Sequence, residues 1–144
     1  MNHARIIVVA LAAASLTAAA FSAAFAHGDV TPQPIDTTGL SELKEGEWLT
    51  ENPYRGNATA IEIGKSGYNQ NCARCHGLEV ISGGIAPDLR YLEEGKTGDE
   101  WFIERIRHGA KNSEGATLMP AFEGTFKQEA MWAIRSFIET QKPQ

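Results

Sequence analysis

The sequence predicts an all-α fold. Three segments repeat their apolar residues at the helical period near 3.6, and no segment of the 144 residues sustains a period-two alternation. The stretches between them are rich in glycine and proline, which end helices and connect them. A chain of this length is sized for one domain.

The first segment reads as an export signal. Arg5 supplies a basic start, Ile6 to Phe25 is apolar and alanine-rich, and Ala24-Phe25-Ala26 has the small-x-small pattern of a cleavage site. Cleavage of residues 1–26 before His27 is expected, which places the protein in the periplasm. The apolar run is long enough to span a bilayer. Its alanines, with Ser15, Thr17 and Ser22, make a weak permanent anchor, so the mature form is expected to have no membrane span. Without residues 1–26 the chain has 12 Lys and Arg against 18 Asp and Glu, a net charge of −6. That sign argues against nucleic acid as a partner, because phosphates need cationic neutralisation. It permits pairing with a positively charged protein surface.

Residues 27–56 read as an extension. Pro32, Pro34 and Pro53 remove backbone donors and disfavour helix before them, so irregular chain is expected, anchored on the core by Trp48 and Tyr54. A disordered tail is the alternative. Asp29, Asp36, Glu42, Glu45, Glu47 and Glu51 outnumber Lys44 and Arg55, so −4 of the net charge sits here.

Residues 57–144 form the helical domain. Asn57 is an N-cap for a first helix, on which Ile61, Gly64 and Tyr68 share one face. Gly64 and Gly67 weaken that helix, and a glycine on a buried face signals the close approach of another backbone. Gly77 to Gly98 is loop-rich. Asp99 to His108 reads as the second helix, with Asp99 as its cap, Phe102, Ile103 and Ile106 as its stripe, and Gly109 as its stop. Lys111 to Gly124 is again loop and carries Met119-Pro120. Gln128 to Thr140 is the third helix, with Met131, Ile134 and Ile138 on one face, flanked by Trp132 and Phe137. Lys142 and Pro143 suit its C-terminal end. Almost no sheet is expected.

The two cysteines are Cys72 and Cys75, in the run Cys72-Ala73-Arg74-Cys75-His76. Cys-x-x-Cys-His is the attachment sequence for c-type haem. Thiols three residues apart on one helical turn reach the two vinyl groups of one porphyrin, and the next residue, His76, points an imidazole at the iron. A thioredoxin-like redox pair would need a βαβ context, which is missing. A structural zinc site would need four ligands, and His108 alone does not complete one. A disulfide between Cys72 and Cys75 would close a very small loop and stabilise little. One covalent haem c is therefore expected.

The sixth iron position decides the behaviour of such a site: open, it binds or activates small molecules; filled, it passes electrons. Candidates are Met119, Met131, His108 and His27. Met131 lies on the apolar face of the last helix and reads as core. His108 ends a helix, where it complements the dipole. His27 would be the free N-terminus. Met119, 43 residues beyond His76 and followed by Pro120, is a loop thioether with enough chain to cross from one haem face to the other. Soft sulfur opposite imidazole favours Fe(II) and raises the reduction potential.

Gly64-x-x-x-Tyr68-x-x-x-Cys72-x-x-Cys75-His76, Ala86-Pro87-Asp88-Leu89, Met119-Pro120 and the last helix together resemble class I cytochrome c over Asn57 to Thr140. The resemblance implies a small helical shell around one haem, with the first and last helices crossing at right angles. It also implies that Gly64 and Tyr68 meet Trp132 and Phe137, and that the Pro87 carbonyl accepts a hydrogen bond from the His76 ring. A narrower likeness runs through His27-Gly28-Asp29-Val30-Thr31-Pro32-Gln33-Pro34, Asn52-Pro53-Tyr54-Arg55-Gly56-Asn57, Tyr68 to Glu79 and Ile81-Ser82-Gly83-Gly84-Ile85 on to Leu92. It is to the periplasmic cytochromes c that serve quinoprotein (PQQ-dependent) alcohol dehydrogenases. That likeness implies an electron-transfer protein and not an enzyme. Its donor would be such a dehydrogenase, and its acceptor a terminal oxidase or another cytochrome. The stretch Asp99 to Phe126 departs more from that group.

A general carrier between a membrane complex and an oxidase shares every haem residue, and a haem enzyme or gas sensor would need an open sixth position. Arg90, Tyr91 and Arg105 are candidates for pairing with the haem propionates. A monomer is expected.

Overall fold

The structure, a computed structural model, describes residues 31–143. The expected export signal, residues 1–26, and His27 lie outside the described residues. Four helices are described: α1 (Ala58–Asn71), the single turn α2 (Ala73–His76), α3 (Gly95–His108) and α4 (Gln128–Glu139). Short 3-10 turns at Leu78–Val80 and Leu89–Tyr91 bridge α2 to α3. Among the described residues no helix is long and apolar enough to cross a membrane.

The Asn57 side chain caps α1 by accepting from the Ala60 amide at 3.0 Å. The face α1 buries is Ala60, Gly64, Gly67, Tyr68 and Asn71. It packs on α4 through Gly64: a Cβ there would lie 1.9 Å from the Ala133 carbonyl oxygen, so only glycine admits this approach. Tyr68 meets Phe137 with ring centroids 5.4 Å apart. Trp132, the other aromatic expected against α1, instead pairs with Phe102 of α3 at 6.4 Å.

One expectation is corrected. Asp99 does not cap the second helix. That helix begins a turn earlier, at Gly95 after Glu94, and Asp99 sits inside it, fully buried. Its carboxylate is consumed by Arg135 of α4, whose Nε donates to Oδ1 at 2.8 Å, and by Arg55 of the extension. A buried carboxylate needs such partners more than a helix end needs a cap. A small antiparallel ribbon also exists, β1 (Ala110–Lys111) with β2 (Thr117–Met119), its register shifted between Ala110 and Lys111. Strands this short leave no alternation for a sequence pattern to show.

The extension over residues 31–56 is irregular, as expected, and it is a strap and not a tail. The Gln33 amide donates to Asn71 Oδ1 at 2.7 Å, near the end of α1, and the Ile35 side chain fills the space that a Cβ at Gly67 would need. Farther on, Leu43 N donates to Glu129 Oε1 and Leu49 N to Gln128 Oε1, both at 2.7 Å. Asn52 N then donates to Asp99 Oδ2 at 2.9 Å. Tyr54 is buried, its hydroxyl donating to the Ser41 carbonyl, and Trp48 is half-buried under the Arg107 guanidinium, 4.0 Å from its ring centroid. With α1, α3 and the strap around it, α4 is buried continuously from Ala130 to Ile138 and not on one face alone.

Candidate functional site

The site is built where α1 ends. Cys72 closes α1 and opens α2, whose single turn is fixed by Cys75 N and His76 N donating to the Cys72 carbonyl at 3.1 and 2.9 Å. Cys72, Cys75 and His76 therefore occupy one helical turn, as their spacing implies. Both cysteines are half-buried free thiols. Burial, chiefly, pushes the Cys72 thiol up to about 12, with Cys75 beside it adding to the rise. A redox-active thiol needs the opposite shift, and the helical surroundings supply no βαβ unit for a thioredoxin-like pair. No cluster of three or more His, Cys, Asp or Glu able to hold a metal ion exists among the described residues.

The His76 ring is buried, and its Nδ1 lies 2.9 Å from the Pro87 carbonyl oxygen, the contact that the family resemblance implied. A carbonyl accepts only, so Nδ1 carries the proton and Nε2 is left with its lone pair as a ligand nitrogen. Pro87 is held in turn by its neighbours: Ser82 Oγ donates to the Ala86 carbonyl at 2.5 Å, and Asp88 caps the turn at Leu89–Tyr91. Arg90 binds Asp88 through both Nε and Nη2 and holds its carboxyl down at about 2.

Met119 ends β2, half-buried, and packs on the same apolar core as Cys72. Its carbonyl passes so close to Gly109 that a Cβ there would lie 2.3 Å away. The rival ligands are elsewhere engaged. Met131 is fully buried within α4. His108 is exposed between Glu104 and Glu123, 3.5 Å from a carboxylate oxygen of each. Of the propionate candidates, Arg90 is committed to Asp88, and Arg105 donates to the Gly109 carbonyl at 3.0 Å and lies over the Trp101 ring. Tyr91 is exposed.

These residues fit a haem. Two thiols and an imidazole with a free Nε2 share one turn, and Met119, from a second segment, packs on the same core. Leu78, Ile81, Ile85 and Leu118, in the segments that carry the motif and Met119, are exposed apolar side chains. A porphyrin needs such apolar neighbours.

Comparison with known proteins decides the family. Residues 59–138 match the family described as "Cytochrome C oxidase, cbb3-type, subunit III". The chain is 58% identical over 123 residues to cytochrome c550 of Pseudomonas aeruginosa, covering 83% of each protein. The chain belongs to the c-type cytochromes.

It also matches, at 33% identity over 82 residues, quinohemoprotein alcohol dehydrogenase ADH IIB of Pseudomonas putida, and at 36% over 87 residues ADH-IIG of the same organism. Those stretches are 57% and 60% of this chain but 11% of each dehydrogenase. No solved structure matches. The cytochrome is a small helical electron-transfer protein carrying one covalent haem c. Sequence reasoning found the motif and singled out Met119 as the candidate sixth ligand. It did not find Tyr68's hydroxyl at the site, which donates to the Gly77 carbonyl at 2.8 Å, because an aromatic on a helical face reads as core.

Proposed function

We propose that Cys72 and Cys75 bind the haem covalently, that His76 and Met119 are its axial ligands, and that the cytochrome carries single electrons from a quinoprotein alcohol dehydrogenase towards a terminal oxidase or another cytochrome in the periplasm. When bound, the haem supplies a one-electron Fe(III)/Fe(II) couple whose potential an imidazole–thioether pair raises. The chain's own part is to hold that pair still: the Pro87 carbonyl fixes the His76 tautomer, and β2 with Pro120 fixes Met119. Rigid ligands keep the reorganisation on electron transfer small.

The observation that carries the donor assignment is the match to segments of quinohemoprotein alcohol dehydrogenases. An enzyme that has joined such a segment to a quinone centre has an electron path from quinol to haem. A separate homologue fits the same path between two proteins, through a small transient interface. Residues 1–26, read as an export signal, support the periplasm.

Stopped-flow mixing of reduced quinoprotein alcohol dehydrogenase with the oxidised cytochrome tests the donor. Saturable reduction, much faster than by an unrelated reduced protein, is expected; equal rates would remove the assignment and leave a general carrier. The match to an oxidase-subunit family keeps that second reading in view.

A further inference from the structure

The chain immediately after His76 is strained. Gly77 has φ 84, and a Cβ there would lie 1.8 Å from the Ile81 carbonyl oxygen. Glu79 and Val80 follow at φ 52 and 65 and are the only non-glycine residues with positive φ among those described. A β-branched residue in the left-handed region is an outlier, and such strain persists only where the surroundings over-determine it.

Two things hold this turn to the protein. Val80 is fully buried in the core. Tyr68, itself fully buried, reaches across from α1 and donates its hydroxyl to the Gly77 carbonyl at 2.8 Å. That is the only side-chain hydrogen bond to residues 77–81 among the described residues; the rest are backbone, Gly77 N to Ala73 O and Ile81 N to Leu78 O. Packing against Phe137 needs only the Tyr68 ring, so the hydroxyl is free for this second task.

We propose that the Tyr68 hydroxyl is a positioning residue for electron transfer: through the Gly77 carbonyl it locks the left-handed turn behind His76 and thereby raises the reduction potential. The inference rests on His76 as the axial ligand. Without the tie, the strained turn relaxes and Val80 loosens from the core, so water enters beside His76. Water stabilises the more highly charged ferric state, and the potential falls.

The test is Tyr68→Phe in the matured cytochrome. Expected are an unchanged His–Met spectrum, a lower midpoint potential, and exchange of the residue 77–81 amides faster by about fivefold to tenfold, the loss of one net hydrogen bond. Exchange in the rest of α1 should not change. Glu79→Gly relieves part of the strain, since glycine adopts φ 52 freely while Val80 keeps its φ of 65, so in that background Tyr68→Phe should shift the potential less. Phe137→Leu, which keeps the hydroxyl and weakens only the ring's packing, should lower stability with no shift in potential. An unchanged potential with an intact spectrum overturns the proposal. So does an equal shift in Phe137→Leu. If Tyr68→Phe alone fails to mature, rescue by Glu79→Gly supports the tie and failure of rescue overturns it. A wild-type protein without a His–Met spectrum is a different failure, that of the ligand assignment.

Discussion

Met119 is the residue on which the carrier reading turns. Met119→Ala removes the thioether from a segment that Pro120 and β1 hold in place. The expected result is a cytochrome that keeps its haem, loses the methionine–iron absorption band and has a lower potential, measured by redox titration. Asp88 governs the other side. Arg90 holds its carboxyl at about 2, below its ordinary value of 3.8. A depressed carboxyl contributes stability above its unfolded value, and that contribution is lost as pH falls through the folded one. The Asp88–Arg90 contribution should therefore disappear between pH 3.8 and about 2. In Asp88→Asn the acid-unfolding curve should flatten in that window. The motif Cys72-x-x-Cys75-His76 was legible in the sequence because covalent haem attachment demands those residue types at that spacing, whereas Met119 was singled out only against rival ligands. The Tyr68 hydroxyl was not, because one oxygen on a core ring changes neither period nor pattern.

At the scale of elements, the α1–α4 contact rests on a missing side chain. Gly64→Ala would press a methyl into the Ala133 carbonyl and separate the two helices. It should cost about 3 kcal/mol or more in denaturant unfolding, the upper end of overpacking. The α3–α4 contact rests on a charge pair with no exposed surface, Asp99 with Arg135. Asp99→Asn takes the nearer carboxylate from the buried Arg135 guanidinium, leaving it Glu139 and the Glu93 carbonyl, and should cost about 3 kcal/mol, the lower end for a broken buried pair. Gly64 was readable as a close approach, since a glycine on a helical face has few other uses. Asp99 was misread because an acidic residue before an apolar stripe has the form of a cap; only the fold shows a guanidinium waiting for it.

The whole molecule is a helical core closed by its own N-terminal strap. Proline content correctly implied irregular chain there, but not where it docks. Its seats are polar residues of α4: Gln128 accepts from Leu49 N, donates to the Glu47 carbonyl at 2.9 Å and accepts from the Trp132 indole at 3.1 Å. Glutamine and glutamate at the start of a helix look like solvent-facing residues in any periodic reading. The contacts that order the strap span 79 and 86 residues of sequence, so no local pattern announces them.

That separation sets an order of events. The strap is synthesised before the motif and its start seats on α1, yet Gln128 and Glu129 come near the end of the chain, so the latch at Leu43 and Leu49 has nothing to close on until α4 has arrived. Long-range loops are closed late, and what closes late and is held by a few single bonds opens early. In native-state hydrogen exchange the Leu43 and Leu49 amides should be released well before those of α1 and α4. Protection at Leu43 and Leu49 equal to the helices would mean that the latch and the core fold as one body.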